Sequence, residues 1–370
     1  MHKSRLMFLI AVGLFINSSA LALRSPPPPP PKAETSWLLE ESRLASTDMK
    51  IVWQYNLPLS DNETIDRLLV RENRLFALTN RNYLTCLNRM DANVAFSTFI
   101  APAGLPLMGL EYYKGELLTM VGSKLVEIDT SLGTEKSFMP STTSVACPVV
   151  RNKSFYYFAG LDKRLRALYA DDKVQAFEAA AETDSLITSV LAEENFVVFA
   201  TEAGNVIRIT ADGPRKQWQF DAPKALAGPV AYDGNSLYIA CRDTKVYCLE
   251  SGRGHLVWNY QAQAILDEAP QPTDMAVYQY VSEVGLIALD KKTGALLWQV
   301  EDGSGLLAES GNKAFVITKK GVLVAMDNAK KKQLYKIDLG QSLRYATNLN
   351  DSKIYIGDNK GRLACLQPVR

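Results

Sequence analysis

Eight aliphatic residues recur at a near-constant step along this chain, and that step constrains the fold more than any other feature. Leu84, Leu125, Leu165, Val206, Val246, Leu286, Leu323 and Leu363 open matching apolar runs at successive spacings of 41, 40, 41, 40, 40, 37 and 40 residues. Each unit holds short alternating runs bounded by Asp, Gly, Lys or Thr turns, the pattern of strands with tight connections rather than of helices. Such a unit must stack on copies of itself to bury its apolar surface, and four-stranded sheets set around a central axis match the period. The expected fold is all-β, an eight-bladed β-propeller of four-stranded antiparallel blades spanning residues 50–370. The repeats leave no room for a second domain.

A parallel aromatic series, Trp53, Phe96, Phe138, Phe177, Trp218, Trp258, Trp298 and Tyr335, is offset from the first. It begins before the first aliphatic anchor and has no member after the last. That offset predicts that the strand around Trp53 joins the sheet formed by residues 352–366, so that the two ends close the ring and leave no open edge. A cut before Trp53 should then be tolerated, and a cut after it should open the ring.

The segment "ALDKKTGALLW" at 288–298 resembles the PQQ-like (pyrroloquinoline quinone) repeat, in which a strand ends in Ala-Leu-Asp, the chain turns at Thr-Gly, and a Trp docks on the neighbouring blade. The resemblance runs from about residue 50 to 370, is strongest in units five to seven and is degenerate in units one and two. It implies a structural docking role for Trp218, Trp258 and Trp298. The exported, single-domain, eight-bladed form is similar to the propeller lipoproteins of outer-membrane barrel assembly. The resemblance therefore implies a non-catalytic interaction scaffold whose partners are envelope proteins, outer-membrane β-barrel assembly components among them. The quinone-dependent dehydrogenases of the same repeat family carry an adjacent Cys pair, which this chain lacks. No cofactor is expected, and a quinone-dependent or other small-ligand propeller, enzyme or sensor, is the alternative reading.

The chain opens with Lys3 and Arg5 before an apolar run from Leu6 to Ile16, followed by Ala20 and Ala22. This reads as a secretory signal over residues 1–22, with retention as an anchor as the alternative; the run is short of the ~20 apolar residues of a spanning helix. Leu23 stands where a lipoprotein would have Cys. The expected location is periplasmic or secreted, with no membrane span after cleavage, and the expected state is a monomer. Residues 23–49 form a linker, in which Pro26 to Pro31 make a stiff spacer and "SWLLEESRLAS" makes one short amphipathic helix. Without residues 1–22 the chain has 39 basic and 40 acidic residues, a balance that argues against nucleic acid as a partner.

Five cysteines in an exported chain suggest disulfides, but the repeat register argues otherwise. Cys86, Cys248 and Cys365 fall two residues after their anchors, where other units have Ala167, Ala288 and Ala325, so a small packing residue is wanted there. Cys147, before Pro148, matches Gly228 before Pro229. One pairing, Cys86 with Cys365, would lock the closure and is left open. The same small position holds Glu127 and Arg208 in units two and four, which makes them the candidates for acid and Arg chemistry at a central channel in the alternative reading, with exposed ends of irregular strands the simpler reading. Tyr112, Tyr113, Tyr156 and Tyr157 are candidates for an aromatic sugar-binding face, with strand packing the simpler reading. Outside residues 1–22 the one histidine is His255, in a turn. No catalytic, cofactor-binding or metal-binding set of residues is assigned, and the chain is not expected to be an enzyme.

Overall fold

The computed structural model describes residues 36–140, 144–341 and 343–369; the signal segment and the proline run lie outside them. Eight four-stranded antiparallel sheets form the blades of a propeller. Blades 1 to 7 begin at Ile65, Leu107, Val150, Ile187, Ala231, Gln271 and Gly303, and each takes its four strands consecutively from the chain. Blade 8 takes three strands from Arg344–Pro368 and its fourth, Met49–Asn56, from the other end of the chain. Trp53 lies opposite Cys365 in that last pairing, so the ring closes as the offset series requires.

All eight anchors sit on third strands with at most 2% of their surface exposed. All eight aromatics sit on fourth strands. In seven blades the aromatic pairs across the sheet with the small position, as in Cys86 with Phe96, Cys248 with Trp258 and Ala288 with Trp298, and a β-bulge accompanies that pair. A bulge bends the strand and re-aims the side chain beside it. Here it turns the aromatic toward the next blade. Blade 2 departs from the rule: its third and fourth strands pair without a bulge, Glu127 faces Lys136, and Phe138 moves two residues to lie opposite Leu125.

The aromatics dock blade on blade. The Trp218 indole N–H donates to the Ser251 carbonyl (2.8 Å), Trp258 to the Lys291 carbonyl (3.0 Å), Trp298 to Asn328 Oδ1 (2.7 Å) and Trp53 to the Arg89 carbonyl (3.0 Å). Every acceptor lies in the turn between the third and fourth strands of the following blade. Glycine is needed in two of those turns. Gly254 and Gly294 have φ of +72°, and a Cβ on either would approach the Trp218 or Trp258 ring to 2.6 or 2.5 Å.

Blade 8 has no such turn, because its fourth strand arrives from the chain's beginning. Asp48, just before that strand, takes the place of the turn and accepts hydrogen bonds from the Tyr335 hydroxyl and the Lys313 ammonium of blade 7. The segment before it is packed down: Leu39, Leu44 and Met49 are buried among Leu307, Phe315 and Ile354. The expected amphipathic helix is a single 3₁₀ turn, Glu41–Leu44. Glu40 provides no side-chain cap, and the Leu39 N–H and C=O are bound by the Gln54 side chain at 2.9 and 3.0 Å, so tertiary contacts hold the backbone where helical bonds would have been. A cut immediately before Trp53 removes Met49–Val52 as well as this strap. The expectation that it is tolerated therefore gives way.

All five cysteines are buried free thiols. Cys86 packs between blades 1 and 2 and Cys365 between blades 8 and 1, so the closing disulfide does not form. Burial pushes the Cys86 thiol up to about 11, and Cys147 and Cys365 up to about 12. Thiolate is the reactive form, so the native protein is expected to resist a thiol reagent at pH 8 and to release five equivalents in denaturant. Rapid native labelling, or fewer than five thiols after unfolding without reductant, would contradict this arrangement.

Candidate functional site

The first strands of the blades surround the ring centre. At the end carrying the turns between first and second strands they leave a mouth of about 1040 Å³. Arg71, Lys114 and Arg151 and the carboxylates Glu111, Glu193 and Glu194 bring charges of both signs to it. Pro148, Pro229 and Pro270 line it from blades 3, 5 and 6, each preceded by a small residue. Gly228 shows why: a Cβ there would come within 2.6 Å of the Ala269 nitrogen in the next blade.

Arg151 is the best-held charge. One guanidinium nitrogen donates to Glu116 (2.5 Å) and to the Tyr156 hydroxyl (2.8 Å), and the group lies over the Tyr113 and Tyr156 rings at 4.9 and 4.5 Å. Glu194 accepts from Lys114 (2.7 Å), the Tyr113 hydroxyl (3.0 Å) and the Lys153 N–H (3.1 Å); the Lys114 bond above all holds its carboxyl down to about 2. Burial raises the neighbouring Glu193 carboxyl instead. Arg71 and Glu111, on the first strands of blades 1 and 2, are both withdrawn from water; burial raises the Glu111 carboxyl, and the Arg71 charge opposes that rise. These groups can form ion pairs and hydrogen bonds with an incoming polar segment.

The residues singled out from sequence lie elsewhere or have other work. Glu127 and Arg208 are on third strands and do not line the mouth, which corrects their placement at a central channel; Glu127 stands behind the mouth, 3.7 Å from the Arg151 guanidinium. Glu127 is buried and accepts a hydrogen bond from the Tyr156 hydroxyl of blade 3. The Arg208 guanidinium lies 3.7 Å from the Phe196 ring centroid and donates to the Ser251 carbonyl and hydroxyl, beside the Trp218 dock. Both tie one blade to the next. Tyr156 and Tyr157 are core residues, 1% and 0% exposed, while Tyr112 and Tyr113 line the mouth, so the four form no common aromatic face. His255 is exposed in its turn. Among the described residues, no three His, Cys, Asp or Glu side chains are grouped so as to hold a metal ion, and no helix is long and apolar enough to cross a membrane.

The residues of the mouth escaped the sequence reading because first strands carry the weakest pattern. They are two residues long in blades 3, 5 and 6, too short to show a period. The doublets Cys147-Pro148 and Gly228-Pro229 were the available signal.

Comparison with known proteins agrees with this architecture. A family model described as Outer membrane protein assembly factor BamB matches residues 202–313 and 285–368. A curated protein of that name from Moranella endobia (strain PCIT) is 27% identical over 143 residues, a match that spans 36% of this chain and 37% of the relative. Among solved structures, BamB from Moraxella catarrhalis superposes with a TM-score of 0.64 at 13% identity, over 86% of this chain and 99% of that one. The computationally designed Ika8 protein gives 0.65, also at 13% identity, over 82% and 96%. These two likenesses speak for the fold alone. The docking tryptophans, the closed eight-bladed ring and the family match over residues 202–368 support a PQQ-like, BamB-like propeller.

Proposed function

We propose that this protein is a non-catalytic interaction scaffold of the bacterial cell envelope, acting in outer-membrane protein assembly, with residues 1–22 as a removable export signal and 23–49 as the lead-in to the ring. The observation that carries this reading is the match of residues 202–368 to a family described as an outer-membrane protein assembly factor, on a chain whose ring carries a rigid, charged mouth. Propellers hold variable turns on stiff blades, which suits recognition. The mouth offers fixed ions of both signs to a partner segment, and the partners fitting this reading are envelope proteins of the barrel assembly apparatus.

The test is site-specific photocrosslinking in the producing cell. A photoreactive residue at Leu349, exposed at the mouth, is compared with one at Lys320, exposed on the opposite face. Capture of an outer-membrane barrel or a barrel assembly component from position 349 and not from 320 is the expected result. If position 349 captures neither while the protein is folded and exported, the scaffold reading falls.

A further inference from the structure

We propose that the outer rim of blades 5 to 8, at the end bearing the turns between third and fourth strands, docks on an anionic lipid bilayer. This inference is independent of what the mouth binds. The turns of blades 5, 6 and 7 present Arg253, Lys292 and Lys330–Lys332 to solvent, and Lys50 continues the series on the strand that completes blade 8. Among the described residues, none of Arg253, Lys292, Lys331 and Lys332 has a carboxylate within ion-pair distance; Lys330 has one only at 4.0 Å, with 70% of its side chain exposed. The acids of these turns are folded back. Glu250 accepts from the Gly252 and Arg253 N–H groups, Asp290 from Lys292 and Thr293, and Asp327 from Lys330, at 2.8 to 3.1 Å. Carboxylates thus cap the turns while the cations project outward. The corresponding turn of blade 2, between Asp129 and Glu135, has no cation, and in blade 3 the one cation, Lys173, is bound to the Ala170 carbonyl beside the exposed Asp171 and Asp172.

Aliphatic side chains are set among the cations. Leu256, Val257, Leu296 and Leu334 are 46%, 53%, 38% and 36% exposed. Val257 and Leu334 are the bulge residues beside Trp258 and Tyr335, so the distortion that aims the aromatic inward also turns these side chains outward. The docking bonds of Trp258 and Trp298 join turn to turn, and Tyr335 with Asp48 carries the chain of contacts to blade 8, so the cations and aliphatics form one continuous arc. It lies on the outer rim at the same end of the ring as the mouth. Lys and Arg with interleaved aliphatics suit a lipid interface, where the cations meet headgroup phosphates and the aliphatics enter the headgroup boundary.

The protein purified from the cell envelope is floated with vesicles of phosphatidylglycerol and phosphatidylethanolamine, or of phosphatidylcholine alone. The expected result is about tenfold or greater preference for the anionic vesicles at low salt, declining as salt screens the attraction. The variant K292E/K330E/K331E, checked for native circular dichroism, should lose about tenfold or more of that binding. K163E/K224E/K320E, with the same net charge but altered in loops at the opposite end of the blades, should keep it. L256S/V257S should weaken what binding remains at high salt. Equal binding to both vesicle types, equal loss in both charge-reversed variants, or binding to soluble poly-glutamate but not to vesicles would each overturn the proposal.

Discussion

A chain that begins at Leu57 is expected to fail to close its propeller, one that begins at Trp53 to be severely destabilised, and one that begins at Ser36 to melt like the full-length protein. The first lacks the whole strand Met49–Asn56, leaving the strand Arg362–Pro368 as an open edge. The second keeps Trp53 and its bond to the Arg89 carbonyl but loses the pairs Met49 with Pro368, Lys50 with Gln367 and Ile51 with Leu366. It also loses three buried side chains, Leu39, Leu44 and Met49, each worth roughly 1.5–3 kcal/mol, and the Asp48 bonds to Tyr335 and Lys313 that join blade 7 to blade 8. Thermal melting and limited proteolysis of the three chains would settle the order. If the chain beginning at Leu57 melts with the full-length protein, the closure described here does not hold the ring.

Trp258→Ala is expected to cost about 3–5 kcal/mol, the range for removing a large buried aromatic from a core that cannot collapse onto the space. Trp258 is 7% exposed, packs against Tyr238 at 6.0 Å between ring centroids, and sits on Gly294 of the following blade. The companion change Gly294→Ala approaches the same contact from the other side. It puts a Cβ 2.5 Å from the indole at a φ of +72° and should cost about 1–3 kcal/mol through overpacking and left-handed strain. Because both act on one seam, the double variant should lose less than the sum of the two. Urea midpoints measure all three. A Trp258→Ala unfolding free energy within about 1 kcal/mol of the wild type would mean that the blades are held by something other than this dock.

The resemblance to the PQQ-like repeat implied the docking role of the tryptophans, and the two recurring series in the sequence made the blade count and the closing partner of Trp53 legible. They repeat because each blade solves the same packing problem with the same residues. The cysteines followed from the same register: Cys86, Cys248 and Cys365 sit opposite Phe96, Trp258 and Trp53, where the aromatic leaves room for a small side chain. Glu127 and Arg208 broke the register and drew attention as chemistry. Their deviation is local repair: in blade 2 the aromatic shifts by two residues, and in blade 4 Arg208 bonds the turn on which Trp218 already docks.

What the sequence determined by itself was the repeat and therefore the ring, because strand pairing in seven of the eight blades joins neighbours within about forty residues, and the offset of the aromatic series marks the one strand that pairs across the two ends of the chain. Only the tertiary structure decided the mouth, the strap and the outer arc. The Arg71 charge acts on the Glu111 carboxyl from the neighbouring blade, Asp48 reaches Tyr335 across 287 positions, and the cations of blades 5 to 8 become neighbours only when the ring brings equivalent turns to one side. Such contacts join non-repeating side chains from different units, and no period along the chain records them.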